Sequence, residues 1–370
     1  MELSAPSPAN PGTGVPVLTD VSRAAVELST LTTLRLGGPA PELIVGDTSA
    51  AICDTIREID AHHQQVLLIA GGSNLVIADA GVDYPVLKIA NSGVQAVHDG
   101  EDLLVTVAAG ETWDRVTEMF AADGWSGIEM LSGIPGSTGA TPIQNVGAYG
   151  AEIADVLVDV TVHDRRAGVR RTIAGADLGL GYRSSVLRGR ADAVVLSVRL
   201  RLSRRHPPIR YGELAATLGV ASGHGAPPAD VREAVLALRH RKGMVLDPTD
   251  PDTRSVGSFF TNPLLAPADF AAAQARITDR CGADVRFPHY PAGWATKLSA
   301  AWLIEKAGFA KGFALPNAGA AISSKHTLAL TNRGGTTADL LNLARHVRDG
   351  VDEAFGVVLH AEPILVGVSL

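Results

Sequence analysis

Between positions 131 and 153 the chain reads LSGIPGSTGATPIQNVGAYGAEI, with glycines at 133, 136, 139, 147 and 150 and prolines at 135 and 142. No continuous helix or strand runs through such a stretch, because proline removes a backbone donor and interior glycine costs about 0.5–1 kcal/mol relative to alanine. A long segment without regular structure is uncommon in a compact domain unless it serves a ligand, so this one reads as a loop able to wind around a long ligand. A second small-residue segment, AGGSNLVI, follows the apolar run VLLIA. There Gly71 and Gly72 let backbone N–H groups approach an anion, and Ser73 and Asn74 add side-chain bonds. Either segment alone is compatible with an ordinary structural loop, but the two together point to a cradle. The chain lacks G-x-x-x-x-G-K-[ST], and its glycines do not sit as G-x-G-x-x-G between a strand and a helix, which excludes P-loop and Rossmann assignments.

A chain of 370 residues exceeds the usual single-core limit, so two or three domains are expected. Hydrophobic residues make up 46% and charged residues 19%, with a formal charge of -7, which describes a soluble globular protein without the basic field that nucleic acid demands. Only Cys53 and Cys281 are present, with no C-x-x-C spacing, so neither a disulfide framework nor a thiolate metal site is expected and a reducing cytoplasm is the natural setting. The eleven histidines are scattered, and no H-x-x-x-H or H-E-x-x-H pair suggests metal. The first seventeen residues carry four prolines and no Lys or Arg, unlike a signal peptide, and residues 1–20 read as a disordered or extended tail. No apolar run approaches the eighteen or so residues that span a bilayer.

The periodicity predicts an α+β protein. Apolar β-type runs (PELIVG, VLLIA, VLKIA, LLVTVAA, VLVDVTVH, AVVLSVRLRL) alternate with helices over 49–61 and 113–122. A polar, proline-bearing stretch over 203–229 marks an expected boundary, giving a first region at 21–205 (subdomains 21–92 and 93–205), a second at 206–357, and a C-terminal strand at 358–370. Helices are expected over 229–242, 267–280, 297–307 and 337–354, and FPHYPAGW reads as an aromatic loop.

GSFFTNP places Ser258 beside Phe259 and Phe260, with Asn262 in a turn closed by Pro263. There is no G-x-S-x-G elbow and no histidine within fifteen residues, so proton donation fits this serine better than nucleophilic attack. A packed turn whose serine bonds its own backbone is the bland alternative.

Six segments in one order, LTTLRLGGPA, AGGSNLVI, the 131–153 stretch, GYRSS, GSFFTNP and AEPILVG, make the chain resemble the UDP-N-acetylenolpyruvoylglucosamine reductases over roughly 32–367. The resemblance implies a two-subdomain FAD-binding fold of the vanillyl-alcohol-oxidase type, an α+β substrate-binding domain, and a last strand returning to the flavin region. It implies non-covalent FAD held by Gly71, Gly72, Ser73, Asn74 and Leu75 and by Gly133, Pro135, Gly136, Ser137 and Gly139, continued by Asn145, Gly147 and Ala148. NADPH would be the hydride donor and a UDP-sugar enolpyruvyl ether the acceptor, with Arg183, Ser258 and Glu362 as catalytic groups. Tyr182, Tyr211, Lys242 and Asn262 would contact the substrate, with YGEL placing the chain in the branch that has a tyrosine loop. No metal, nucleic acid or membrane partner is implied, and a monomer is expected. Ser324, Lys325 and His326 stand where the resemblance leads one to expect a glutamine, and receive no role. A flavin oxidase of the same fold and a non-catalytic nucleotide-sugar sensor stay open as alternatives, although neither needs a serine and a carboxylate at one carbon.

Overall fold

The computed structural model describes residues 24–370, so the expected tail at 1–20 lies outside the described residues. Strands β1 (Ala24–Glu27), β2 (Pro39–Gly46), β3 (Leu67–Ile69), β4 (Leu75–Ile77) and β5 (Val86–Ile89) open the chain. Four of them form a sheet ordered β1-β2-β5-β3, in which β1 runs antiparallel to β2 while β2 and β3 both run parallel to β5. Helix α1 (Ser49–Ala61) crosses from β2 to β3. The Thr48 hydroxyl caps it by accepting from Ala51 N at 3.1 Å, and Ile52, Cys53, Ile56 and Ile59 recur at helical spacing as its buried face.

A five-stranded antiparallel sheet follows. It comprises β6 (Val94–Asp99), β7 (Asp102–Ala108), β10 (Leu157–Asp164), β11 (Val169–Ala174) and β12 (Ala193–Ser203), ordered β11-β10-β12-β7-β6. Between β7 and β10 the chain forms α2 (Trp113–Ala122), three 3₁₀ turns and the two-residue ladder of β8 (Gly147–Ala148) and β9 (Ala151–Glu152), so most of the glycine-rich stretch is irregular. Helices α3 (Gly212–Leu218) and α4 (Pro228–Arg241) come after the boundary expected at 205, yet Leu214, Val231, Val235 and Leu238 share one core with Val105, Val160 and Val198. The stretch over 203–229 therefore belongs to this body, burying Ile209, Leu214, Ala215 and Ala226 in its core, and the apolar face of α4 covers α2 and the turn at Glu129–Leu131.

The last body contains β13 (Leu264–Leu265), α5 (Pro267–Cys281), β14 (His289–Ala292), β15 (Ala295–Leu298), α6 (Ala300–Ala307), β16 (Ala320–Ile322), β17 (Leu330–Asn332) and α7 (Thr337–Phe355). Helix α7 starts at a capping box between Thr336 and Asp339 and buries Leu340, Leu341, Ala344 and Val347, the face its periodicity predicts. Two expectations need correction. The helix expected from 297 begins at Ala300, because Lys297 and Leu298 finish β15 and the Ser299 hydroxyl caps α6 by accepting from Trp302 N at 3.3 Å. FPHYPAGW is not a loop but contributes to the β14–β15 hairpin. Finally β18 (Ile364–Val366) returns to pair parallel with β4. No helix among the described residues is long and apolar enough to cross a membrane, and none of their His, Cys, Asp and Glu side chains group in threes to hold a metal.

Candidate active site

A cavity of about 660 Å³ lies where the bodies meet. Both glycine segments wall it, through residues 71–75 on one side and Pro135, Ser137, Gly139, Gly147 and Ala148 on the other. The two segments touch backbone to backbone: a Cβ added to Gly71 would lie 2.6 Å from the Cα of Gly136, so no larger side chain fits there. Gly72 has φ +59°, and a Cβ on it would come 1.9 Å from the Leu31 carbonyl oxygen. Ser73 and Asn74 use their side chains to tie the segments together. Ser73 Oγ donates to Pro135 O at 3.0 Å, and Asn74 Nδ2 donates to Gln144 Oε1 at 2.9 Å.

Three of the residues expected along the cofactor stand behind this wall. Gly133 N donates to Asp114 Oδ1 at 2.6 Å, and Gly136 O accepts from Trp113 N at 3.0 Å. Asn145 is buried, with Nδ2 donating to Glu152 Oε2 at 2.8 Å and to Gly181 O at 3.1 Å while Oδ1 accepts from Ala154 N at 3.1 Å. Its amide is committed to protein groups and braces the loop.

Arg183 and Glu362 meet on the same cavity wall although 179 residues separate them: Arg183 Nε donates to Glu362 Oε1 at 3.0 Å, and Nη2 donates to Gly147 O at 2.9 Å. Burial pushes the Glu362 carboxyl above the usual carboxylate range, and the guanidinium groups of Arg183 and Arg188 offset that only in part. Ser258 lines the cavity as well, brought there by backbone pairing, since Phe259 O accepts from Glu362 N at 2.9 Å and Phe260 bridges Ala361. Its hydroxyl has no hydrogen-bond partner among the described residues.

The side chains expected at the substrate divide in two. Tyr211 and Lys242 line the cavity; Tyr211 packs edge-on against Tyr149 with centroids 5.3 Å apart, and Lys242 Nζ donates to Glu213 Oε2 at 2.7 Å. Tyr182 and Asn262 do not line it. Asn262 N donates to the Tyr182 hydroxyl at 3.1 Å, and Asn262 Oδ1 accepts from Ala300 N at 2.9 Å at the start of α6. Sequence reasoning missed Arg188 and Arg239 and left His326 unassigned. Arg239 lines the cavity at 8% exposure with no ion-pair partner among the described residues and an unpartnered Nε, and burial lowers its pKa from the ordinary guanidinium value. His326, also on the wall, is driven down to about 4 by burial and by the cations Lys242, Lys311 and Arg239, and its Nδ1 accepts from Leu328 N at 3.3 Å. It is thus a neutral imidazole with its proton on Nε2. Ser324 and Lys325 serve structure by binding Asp252 and Asp250.

A cavity of this volume walled by two glycine segments, with no room for side chains at their contact, fits a dinucleotide held by backbone groups. An arginine, a carboxyl and a free hydroxyl that line the same cavity fit chemistry at a carboxylated carbon. Fold and site define an FAD-dependent oxidoreductase, and residues 42–174 match the family described as an FAD binding domain. Residues 247–366 match UDP-N-acetylenolpyruvoylglucosamine reductase, C-terminal domain. The chain is 54% identical to the UDP-N-acetylenolpyruvoylglucosamine reductase of Saccharopolyspora erythraea, over 93% of this chain and 95% of that one. It is 50% identical to that of Thermobifida fusca, over 93% and 98%. The crystal structure of the Thermus caldophilus enzyme superposes with a TM-score of 0.61 at 26% identity, over 94% of this chain and 100% of that one. The chain belongs to the UDP-N-acetylenolpyruvoylglucosamine reductase family.

Proposed function

We propose that this chain reduces the enolpyruvyl ether of UDP-N-acetylenolpyruvoylglucosamine to UDP-N-acetylmuramate, for peptidoglycan precursor synthesis, with NADPH as the source of hydride. The observation that carries the reading is the Arg183–Glu362 pair on one wall with Ser258, in a cavity that the two glycine segments close. FAD, when bound, supplies the hydride carrier between NADPH and the substrate; residues 71–75, Pro135, Ser137, Gly139, Gly147 and Ala148 would hold it. Hydride addition to the methylene carbon of the substrate leaves negative charge on the neighbouring carbon, spread into its carboxylate as an enolate. Arg183, a permanent cation with a planar donor fork, binds that carboxylate. Ser258, whose hydroxyl has no hydrogen-bond partner among the described residues, delivers the proton to the neighbouring carbon, and Glu362, whose carboxyl burial makes easier to protonate, assists that protonation.

Lys242, Arg239 and Tyr211 suit the nucleotide end of the substrate, where a diphosphate seeks cations and hydroxyls. Tyr182 and Asn262 support this reading indirectly: the Tyr182 hydroxyl accepts from Asn262 N, and Asn262 Oδ1 accepts from Ala300 N at the start of α6. The same reading makes the chain a cytoplasmic monomer without a nucleic-acid partner, in keeping with its acidic charge and two unpaired cysteines. The test is direct. Purified protein should be yellow and should oxidise NADPH only when the enolpyruvyl substrate is present; a yellow protein that binds the UDP-sugar and leaves NADPH untouched would favour the sensor reading instead.

A further inference from the structure

Arg183 sits at φ 51°, in the left-handed region, which costs a non-glycine residue roughly 1 kcal/mol or more unless its surroundings enforce it. Arg188, five residues on, adds to the enforcement that the paired backbones of Gly181 and Ser184 give. Its Nη1 donates to the carbonyl oxygen of Arg183 and its Nη2 donates to the carbonyl oxygen of Glu362 at 3.0 Å. With the Arg183 side chain bonded to the Glu362 carboxylate, these contacts close a ring: the Arg188 fork, the Arg183 backbone, the Arg183 side chain, the Glu362 side chain, the Glu362 backbone, and the fork again. The loop that carries the ring is also held where Ser185 Oγ donates to Ile143 O at 2.6 Å, where Gly181 O accepts from Asn145 Nδ2 at 3.1 Å and where the Tyr182 hydroxyl accepts from Asn262 N at 3.1 Å. Arg188 has no carboxylate partner of its own among the described residues, and it lines the cavity.

We infer that Arg188 is a positioning residue for the reduction step: one guanidinium, by binding two main-chain carbonyls from remote segments, sets the separation of the Arg183 and Glu362 side chains. A guanidinium suits this task because its donors diverge from a rigid plane, whereas an ammonium is a point donor on a flexible stem. The inference rests on the roles proposed above for Arg183 and Glu362.

Arg188→Met and Arg188→Lys test it. The Met variant should lose about 50-fold or more in kcat with the enolpyruvyl substrate, while KM and NADPH oxidation by an artificial acceptor such as ferricyanide stay within about twofold. The Lys variant, which keeps the charge but holds one carbonyl at a time, should lose about tenfold. Opening of the Arg183–Glu362 contact moves the limb of the pH–kcat profile that reports this carboxyl to higher pH in both variants, and further in the Met variant, which also loses the charge at position 188; a purely structural role would not produce that graded shift. In a crystal structure of either variant the Arg183–Glu362 contact should open beyond ion-pair distance. Wild-type kcat in the Lys variant, equal loss in both reactions, or a contact that stays closed would each overturn the inference, and the Lys variant carries the test alone if the Met variant does not fold. Wild-type enzyme run alongside keeps the two readings apart. If it fails to turn over the enolpyruvyl substrate, the assigned reaction falls, and the crystal distance still decides Arg188.

Discussion

Ser258 is expected to serve only the protonation of substrate. Ser258→Ala should therefore slow reoxidation of the flavin by enolpyruvyl substrate by about 10²-fold or more, the usual size of a general-acid contribution, and leave reduction by NADPH nearly intact in stopped-flow traces. Equal slowing of both would count against the assignment. His326 supplies a prediction of a different kind. Its folded-state pKa of about 4 lies below the unfolded value near 6.5, so the unfolded chain takes up a proton first as pH falls, and stability drops between about pH 6.5 and 4. The upper bound from this one group is on the order of 3 kcal/mol. Urea denaturation of wild type and His326→Gln at pH 7.5 and 4.5 should show a smaller acid loss in the variant. Ser258, Arg183 and Glu362 could be found in the sequence because short motifs frame them. Arg188 and Arg239 could not: their importance lies in what they lack, a carboxylate partner, and in which carbonyls or cavity they face, neither of which is a local property of the chain.

The two glycine segments both wall the cavity, as a cradle would, and the hydroxyl of Ser73 and the amide of Asn74, expected to bond the ligand, each donate to the other segment. Gly72→Val should be far more damaging than Ser73→Ala, because any Cβ at 72 collides with Leu31 at a φ that already costs an L-residue about 1–2 kcal/mol. The ratio of flavin to protein absorbance after gel filtration should fall sharply for the valine variant and only modestly for the alanine one. Among regular elements, α1, α2, α5 and α7 were legible because each repeats buried apolar residues at helical spacing. Strands β6, β11 and β14 were not, because they run along sheet edges with mostly exposed residues, and an edge strand that buries neither face has no alternation to read.

At the scale of the molecule, the pair β4 and β18 joins two cores. In β4, Val76 belongs to the core of the last body and Ile77 to that of the first sheet; in β18, Leu365 packs against the former and Val366 belongs to the latter. Successive strand residues face opposite ways, so a two-stranded ribbon can be shared in this manner only when it lies between the cores. The ribbon also begins at the site: Ile364 N donates to Asn74 O at 3.0 Å, next to the glycine segment, and Glu362 lies two residues before it. Removing residues 364–370 while keeping Glu362 should then do three things that Glu362→Ala does not. It should cost about 3–5 kcal/mol from lost burial of Leu365 and Val366, release FAD by freeing the start of β4, and split thermal unfolding into separate transitions for the two cores. Glu362→Ala should lose turnover yet melt in one step with its flavin retained. Calorimetry with flavin fluorescence on the two proteins separates these outcomes, and a truncated chain that melts in one step with FAD in place would show that the cores are coupled by contacts other than the ribbon.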